Sequence, residues 1–283
     1  MLLTLVCVVF QKVVHGIKIA NGKIMRQLTR RKMINVLGFS ALGVSMCGLG
    51  CSTEVGPTKA NEISDWLARL SKDSIQLGEQ KISGLQWQEA IDVIYGSAPL
   101  GLLKDRLGFE ALSATLIEEI PADRSELFHR VLLPEVSDSK MASGREPHRA
   151  LITKVAHIKK GKSIPPHGHS NMVSAFLCLS GEFEVRQYDR LEDQEGHMIV
   201  RQSAYDRRAG KGTWSSISDY RNNVHWLTAK TDDCFLFTSK IINLEHDRPL
   251  KGRVNIDLHR AQTLGTDTFR APKITSKEAA QIY

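Results

Sequence analysis

The first 50 residues of this 283-residue chain contain no Asp or Glu. They hold seven of its 38 Lys and Arg (Lys12, Lys18, Lys23, Arg26, Arg30, Arg31 and Lys32), and the other 31 balance 31 acidic residues. The body therefore lacks the basic excess behind the formal charge of +7, and net charge gives no footing for nucleic-acid binding. Cysteine is scarce: of five, only Cys178 and Cys234 lie beyond residue 51. That is too few for a disulfide framework, and a chain this long can bury a core without one. The two thiols could pair in an oxidising compartment, but the expectation is two free, buried, apolar cysteines. No internal repeat or low-complexity tract is present. Long apolar runs are missing too. Met1 to Phe10 is too short to span a bilayer, and Ile34 to Gly50, interrupted by Asn35, sits at the short limit.

What fills residues 1–51 instead is a leader. A charged stretch, Met25-Arg-Gln-Leu-Thr29-Arg30-Arg31-Lys32, precedes the short apolar run, the layout of a targeting segment rather than a fold element. The adjacent arginines resemble the twin-arginine signal, which implies a bacterial protein exported already folded to the periplasm or cell envelope. A single membrane anchor is the alternative. Such signals start close to their arginines, so synthesis from Met25 is expected. Cys51 follows Gly48-Leu49-Gly50 and resembles the lipidated residue of a lipoprotein, with Leu49 two residues before it rather than three. The leader or a lipid on Cys51 would then attach the protein to the membrane.

The body divides by texture. After a linker, Gly56 to Asn61, residues 52–124 form a helical extension. Asn61 is a candidate cap, and Ile63, Trp66, Leu67 and Leu70 recur at helical spacing, as do Trp87, Ala90, Ile91 and Ile94. A further helix is expected around Phe109 to Ile117. Trp66 and Trp87 read as core. Residues 125–245 carry short β-rich runs: 127–133, 151–158, 173–179, 182–188, 197–202, 213–217, 224–229 and 234–242. Strands at this spacing without intervening helices predict an all-β antiparallel jelly roll. Asp189 to Glu195 reads as a solvated loop. Arg145 to Arg149 is polar, and 246–283 is a polar tail expected to wrap the domain or fray.

Chemistry concentrates in Gly161-Lys-Ser-Ile-Pro-Pro-His167-Gly-His169, Ser174 and Gly181, with Asn223-Val-His225 further on. Two histidines at i, i+2 on an extended segment share one face. A third from a distant strand can complete a metal site of three neutral imidazoles, with positions left open. Cys178 shares the face of Ser174 but lies about 13 Å further along the strand, too far to be a fourth ligand. Glu182 and Glu184 lie further still. Ser174 is a candidate hydrogen-bonding support for the ligands. His129, His148, His157, His197, His246 and His259 read as surface or satisfied groups. Arg186, in phase with Glu182 and Glu184, reads as part of an outward ion-paired face.

The spacing of Gly161, His167, His169 and Gly181 resembles the first motif of the cupin superfamily, and His225 the single His of the second. Ser174 stands where most cupins place a metal-binding Glu, and the usual Pro-x-Gly before the later His is missing. Within that superfamily, His167-Gly-His169-Ser-Asn-Met172, Gly181, Tyr188-Asp189, Asn223-Val-His225-Trp-Leu-Thr228-Ala229 and Cys234 look like the thiol dioxygenases of the plant cysteine oxidase and cysteamine dioxygenase type. The similarity covers about residues 150–240. It implies a jelly roll in which His167, His169 and His225 hold iron(II), or another divalent metal, and both atoms of O2 are added to a small thiol. Tyr188 would tune or gate such a site. The Ser-His-Tyr set of the free-cysteine enzymes has no match, which counts against free cysteine. Replacing the carboxylate ligand by His leaves the metal more positive and favours an anionic partner such as a thiolate or carboxylate. Two other functions fit the same residues: a non-catalytic metal- or ligand-binding envelope protein, and a metal-free isomerase using His-x-His as acid and base. Homodimerisation through a sheet edge is a further expectation of the resemblance.

Overall fold

The structure, a computed structural model, describes residues 58–121, 124, 126–137, 151–245 and 247–283. The leader 1–51 with Met25, Arg30-Arg31 and Cys51, the segment 145–149, His148 and His246 lie outside the described residues. Among those described, no helix is long and apolar enough to cross a membrane.

Among the described residues, four helices come first: α1 (Thr58–Gly78), α2 (Gly84–Gly96), α3 (Leu100–Leu107) and α4 (Phe109–Glu119). Asn61, expected as a cap, lies inside α1. A side-chain cap stands at α2, where Ser83 Oγ accepts from the Gln86 N–H and Gln86 Oε1 accepts from the Ser83 N–H.

Twelve strands follow: β1 (Glu126–Arg130), β2 (Ile152–Ile158), β3 (Ser163–Ser170), β4 (Met172–Ser180), β5 (Phe183–Asp193), β6 (His197–Ala209), β7 (Trp214–Ile217), β8 (Val224–Ala229), β9 (Cys234–Ile242), β10 (Lys251–Ile256), β11 (Gln262–Thr263) and β12 (Thr268–Ile274). A short helix, α5 (Pro134–Ser137), lies between β1 and β2, and α6 (Ser276–Ile282) closes the chain. The strands form two antiparallel sheets, ordered β1-β2-β9-β4-β7 and β10-β3-β8-β5-β6-β12-β11. This is the expected jelly roll with helices ahead of it.

Two expectations are corrected. Asp189 to Glu195 is not a loop up to Asp193, which stays in β5 opposite Met198. Cross-strand ion pairs from Asp193 to Lys251 and Lys273 hold this polar end in the sheet. A turn at Asn171, with φ of +61°, separates β3 from β4. It moves the chain between sheets, since β3 pairs with β8 and β10 while β4 pairs with β9 and β7. Finally, the polar tail neither frays nor merely wraps. β10 pairs with β3, β12 pairs with β6, and β10 also pairs with β12. The second sheet thus closes on itself, with Ile256 and Ala271 fully buried inside it.

Alternation along the strands produces three cores. Val173, Ala175 and Leu177 of β4 and Phe235, Phe237 and Ile241 of β9 face the helices, meeting Trp66, Leu67, Leu70, Trp87 and Ile91. Phe176, Phe183, Val185, Leu227 and Leu236 fill the space between the sheets. Tyr188, Met198, Val200 and Val224 join Ile256 and Ala271 inside the closed second sheet. Gly181 makes the link from β4 to β5. Its φ is +77°, and a Cβ there would lie 2.5 Å from Cys234 Sγ, so both backbone and space demand glycine.

The helical layer is packed as core. Trp66 is 1% exposed, stacks on Tyr95 at 5.6 Å and donates its indole N–H to the Ile94 carbonyl at 2.7 Å. Tyr95 in turn bonds Ser239 Oγ on β9 at 2.6 Å. Trp66→Ala is expected to cost about 3–5 kcal/mol of stability, read by urea unfolding. A loss under about 1 kcal/mol would show that the helices do not share the sheet's core.

Candidate metal centre

His167 and His169 stand on β3 and His225 on β8, where His167 and His225 are direct cross-strand partners. One ligand atom from each ring lies within 4.8 Å of the others. The ring centroids are 4.2 Å apart for His167 and His225, 4.7 Å for His167 and His169, and 5.5 Å for His169 and His225. His167 is 2% and His225 9% exposed.

Each Nδ1 meets a main-chain carbonyl: that of Pro165 at 2.7 Å for His167, of Gly252 at 3.2 Å for His169, and of Asn223 at 3.4 Å for His225. A carbonyl oxygen only accepts, so each Nδ1 carries the proton and each Nε2 keeps its lone pair. Two irregularities make this possible. Pro165 and Pro166 have no N–H to give the ladder, and the β3–β8 register shifts between Ile164 and His167. The Pro165 carbonyl is thereby left for the imidazole. The β10–β3 register shifts between Lys251 and Val254, which turns the Gly252 carbonyl and Arg253 toward the histidines.

Burial holds all three rings neutral. It pushes the pKa of His225 down to about 4, helped by the Arg253 charge. His167 and His169 are driven well below 6.5 by burial first, then by His225 and Arg253. Three neutral Nε2 donors with fixed tautomers fit a divalent first-row transition metal.

Asn223 fixes the backbone between the ligands. Its Nδ2 donates to the His169 carbonyl at 3.1 Å, and its Oδ1 accepts the His169 N–H at 3.3 Å. Gly168 leaves room for this clamp, because a Cβ there would come within 2.7 Å of Asn223 Oδ1. Arg190 adds a 2.6 Å bond to the His169 carbonyl.

The rings border a cavity of about 90 Å³, shared with Ser174, Lys154, Lys240, Arg253 and an apolar wall that includes Phe128, Phe176 and Leu236. Ser174 therefore faces the cavity as expected, but its Oγ donates to the Ser239 carbonyl at 3.0 Å rather than to a histidine. Tyr188 is a correction. It lies opposite Val224 in the β5–β8 register, on the sheet face away from His225, buried inside the closed second sheet beside Phe269. It neither lines nor gates the cavity.

Cys178 and Cys234 are free and buried, and burial raises the Cys178 thiol to about 12. Arg186 pairs outward with Glu184. Of the other histidines, His157 is buried and stacks on Phe235 at 4.7 Å. Sequence reasoning missed Lys154, Lys240 and Arg253. Their only signal was alternation within β2, β9 and β10, and β10 had been read as tail.

No family model matches the chain, and no curated protein matches it. Solved structures similar to it include KdgF from Halomonas sp., 14% identical over 43% of this chain and 82% of that one, with a TM-score of 0.29. The cupin domain of Schizosaccharomyces pombe Cnp3 is 12% identical over 44% and 71%, with a TM-score of 0.30. A recombinant oxalate oxidase in complex with glycolate is 13% identical over 44% and 54%, with a TM-score of 0.30. Likeness at this level carries no functional argument, and the architecture rests on the strand pairing above.

Neutral buried histidines set a pH dependence. In the unfolded chain they protonate near 6.5, whereas folded His225 does so near 4. Between those values the unfolded state binds more protons, so metal-free stability falls as pH drops from about 6.5 toward 4. Denaturant unfolding at pH 7 and pH 5 should show a smaller loss for His225→Gln than for the unaltered protein. Parallel losses would contradict the neutral, buried state.

Proposed function

We propose that this protein is an exported iron(II) dioxygenase that adds both atoms of O2 to a small thiol. The supporting observation is the convergence of three Nε2 lone pairs, each tautomer fixed by a carbonyl, on a small cavity whose wall has no carboxylate among the described residues. His167, His169 and His225 would hold the metal. Bound iron(II) supplies open coordination positions for thiolate and oxygen and the electrons that couple them. The overall change is balanced without an external reductant: RSH and O2 give RSO2H.

The protein's own part is placement and exclusion. The carbonyls of Pro165, Gly252 and Asn223 keep the rings aimed. The apolar wall of Phe128, Phe176 and Leu236 limits water. Ser174, tied to the β9 backbone, leaves a neutral wall where a carboxylate would otherwise occupy a coordination position. A groove of about 460 Å³ shares Phe128 and Arg253 with the cavity and is lined further by Lys159, Lys162 and Asn255. It is the natural approach for substrate. The leader supports export of an already folded, loaded protein.

The protein loaded with iron(II) should consume O2 in the presence of small thiols and yield the sulfinic acid by mass spectrometry. His225→Ala should lower both iron content and uptake at least about a hundredfold. Stoichiometric iron with no uptake across a broad thiol panel would instead identify a non-catalytic metal-binding protein. No retained metal would return the histidines to acid–base roles.

A further inference from the structure

Three cations from three strands face the cavity: Lys154 on β2, Lys240 on β9 and Arg253 on β10. No carboxylate lines it among the described residues. Arg253 is neutralised from outside by Glu126, with Nη1 to Oε1 at 2.6 Å. Lys154 and Lys240 have no such ion pair among the described residues. Lys240 stands opposite Ser174 in the β4–β9 register and so points between the sheets. Lys154 and Arg253 both lie over the ring of Phe128, at 5.9 and 5.5 Å.

Half-buried like charges beside one another are costly. Burial, then Lys154, then Arg253 depress the Lys240 ammonium. Holding a metal cation nearby would add to that cost. Hydrophobic side chains at these two positions would suit the apolar wall better, and the chain carries lysine at both. An anion in the cavity removes the conflict, since it gains from every neighbouring charge at once.

We propose that the ligand of this cavity is a small carboxylic acid, its carboxylate held by Lys240 and Lys154. The inference rests on the reading of the three histidines as a metal site, and it adds which end of the molecule points away from them. A donor group of the acid faces His167, His169 and His225, and the carboxylate lies on the side of β2 and β9. About 90 Å³ is roughly the space of three waters at about 30 Å³ each, which restricts the ligand to a short-chain acid. For the thiol reaction this selects a mercaptocarboxylate over a neutral or cationic thiol.

The test compares ligands that differ in charge. Isothermal titration of the full iron(II)-loaded chain under argon would use mercaptoacetate against 2-mercaptoethanol. Mercaptoacetate should bind at least about tenfold tighter. Lys240→Met and Lys154→Met should each remove most of that preference without lowering iron content, which also shows that the variants fold. Malonate titrated into metal-free protein gives a second reading independent of the metal: it should bind, and Lys240→Met should abolish the heat. Equal affinity for the two thiols, a preference that survives both substitutions, or malonate binding indifferent to Lys240 would each overturn the carboxylate site. Failure of the unaltered protein to retain iron, with Lys240-dependent malonate binding intact, would overturn the metal reading alone.

Discussion

Three imidazoles packed within 6 Å of one another can stay buried only if every ring is neutral and every N–H is bonded. A charged ring here would face desolvation and two like neighbours together. An unbonded N–H would cost the full desolvation of a polar group. The carbonyls of Pro165, Gly252 and Asn223 meet both demands, and they come from β3, from β10 and from the residue just before β8. The orientation of the rings is thus a property of three adjacent strands rather than of the His-x-His segment alone. Asn223 strengthens this by bonding both backbone groups of His169.

That dependence explains why irregular pairing sits where it does. A regular ladder would spend the carbonyls of Pro165 and Gly252 on neighbouring strands. Consecutive prolines before His167 break one side of the ladder, and a bulge between Lys251 and Val254 breaks the other. The same bulge aims Arg253 at the cavity. The closed second sheet then takes up the opposite face of β3 and β8, where Gly168 and Val224 meet Met198. The site is held between two cores, one on each side of a single pair of strands.

Much of this was legible in the sequence. Alternating apolar residues located β8 and β9 to the residue, because their two faces bury against different cores and neither tolerates a slip. The three histidines were legible through spacing: i, i+2 on one strand, with a third in an Asn-x-His segment. Glycine spacing predicted Gly181, and the structure supplies the reason in Cys234. The tail was not legible, since β10 and β12 bury few residues in a stretch dominated by charge and turn formers. Closure of a sheet by its last strands is a long-range pairing that local pattern does not report. Missing β10 hid Gly252 and Arg253, and with them part of the site. Tyr188 failed for a different reason. Proximity in a motif said nothing about which sheet face it occupied, and the pairing opposite Val224 puts it on the wrong one.

The absence of a carboxylate near the histidines then changes meaning. On sequence alone, Ser174 was a single replaced ligand. In the fold it belongs to a cavity wall that has no carboxylate among the described residues and onto which Lys154, Lys240 and Arg253 converge. Losing one acidic ligand would leave the other walls free to be neutral or acidic. Their being basic means that the charge deficit extends beyond coordination. A site arranged this way binds a spectator cation poorly, because two lysines oppose it, unless an anion arrives with it. A metal and an anionic ligand bound there together would be coupled: each would lower the electrostatic cost of the other, and by linkage each would raise the other's affinity.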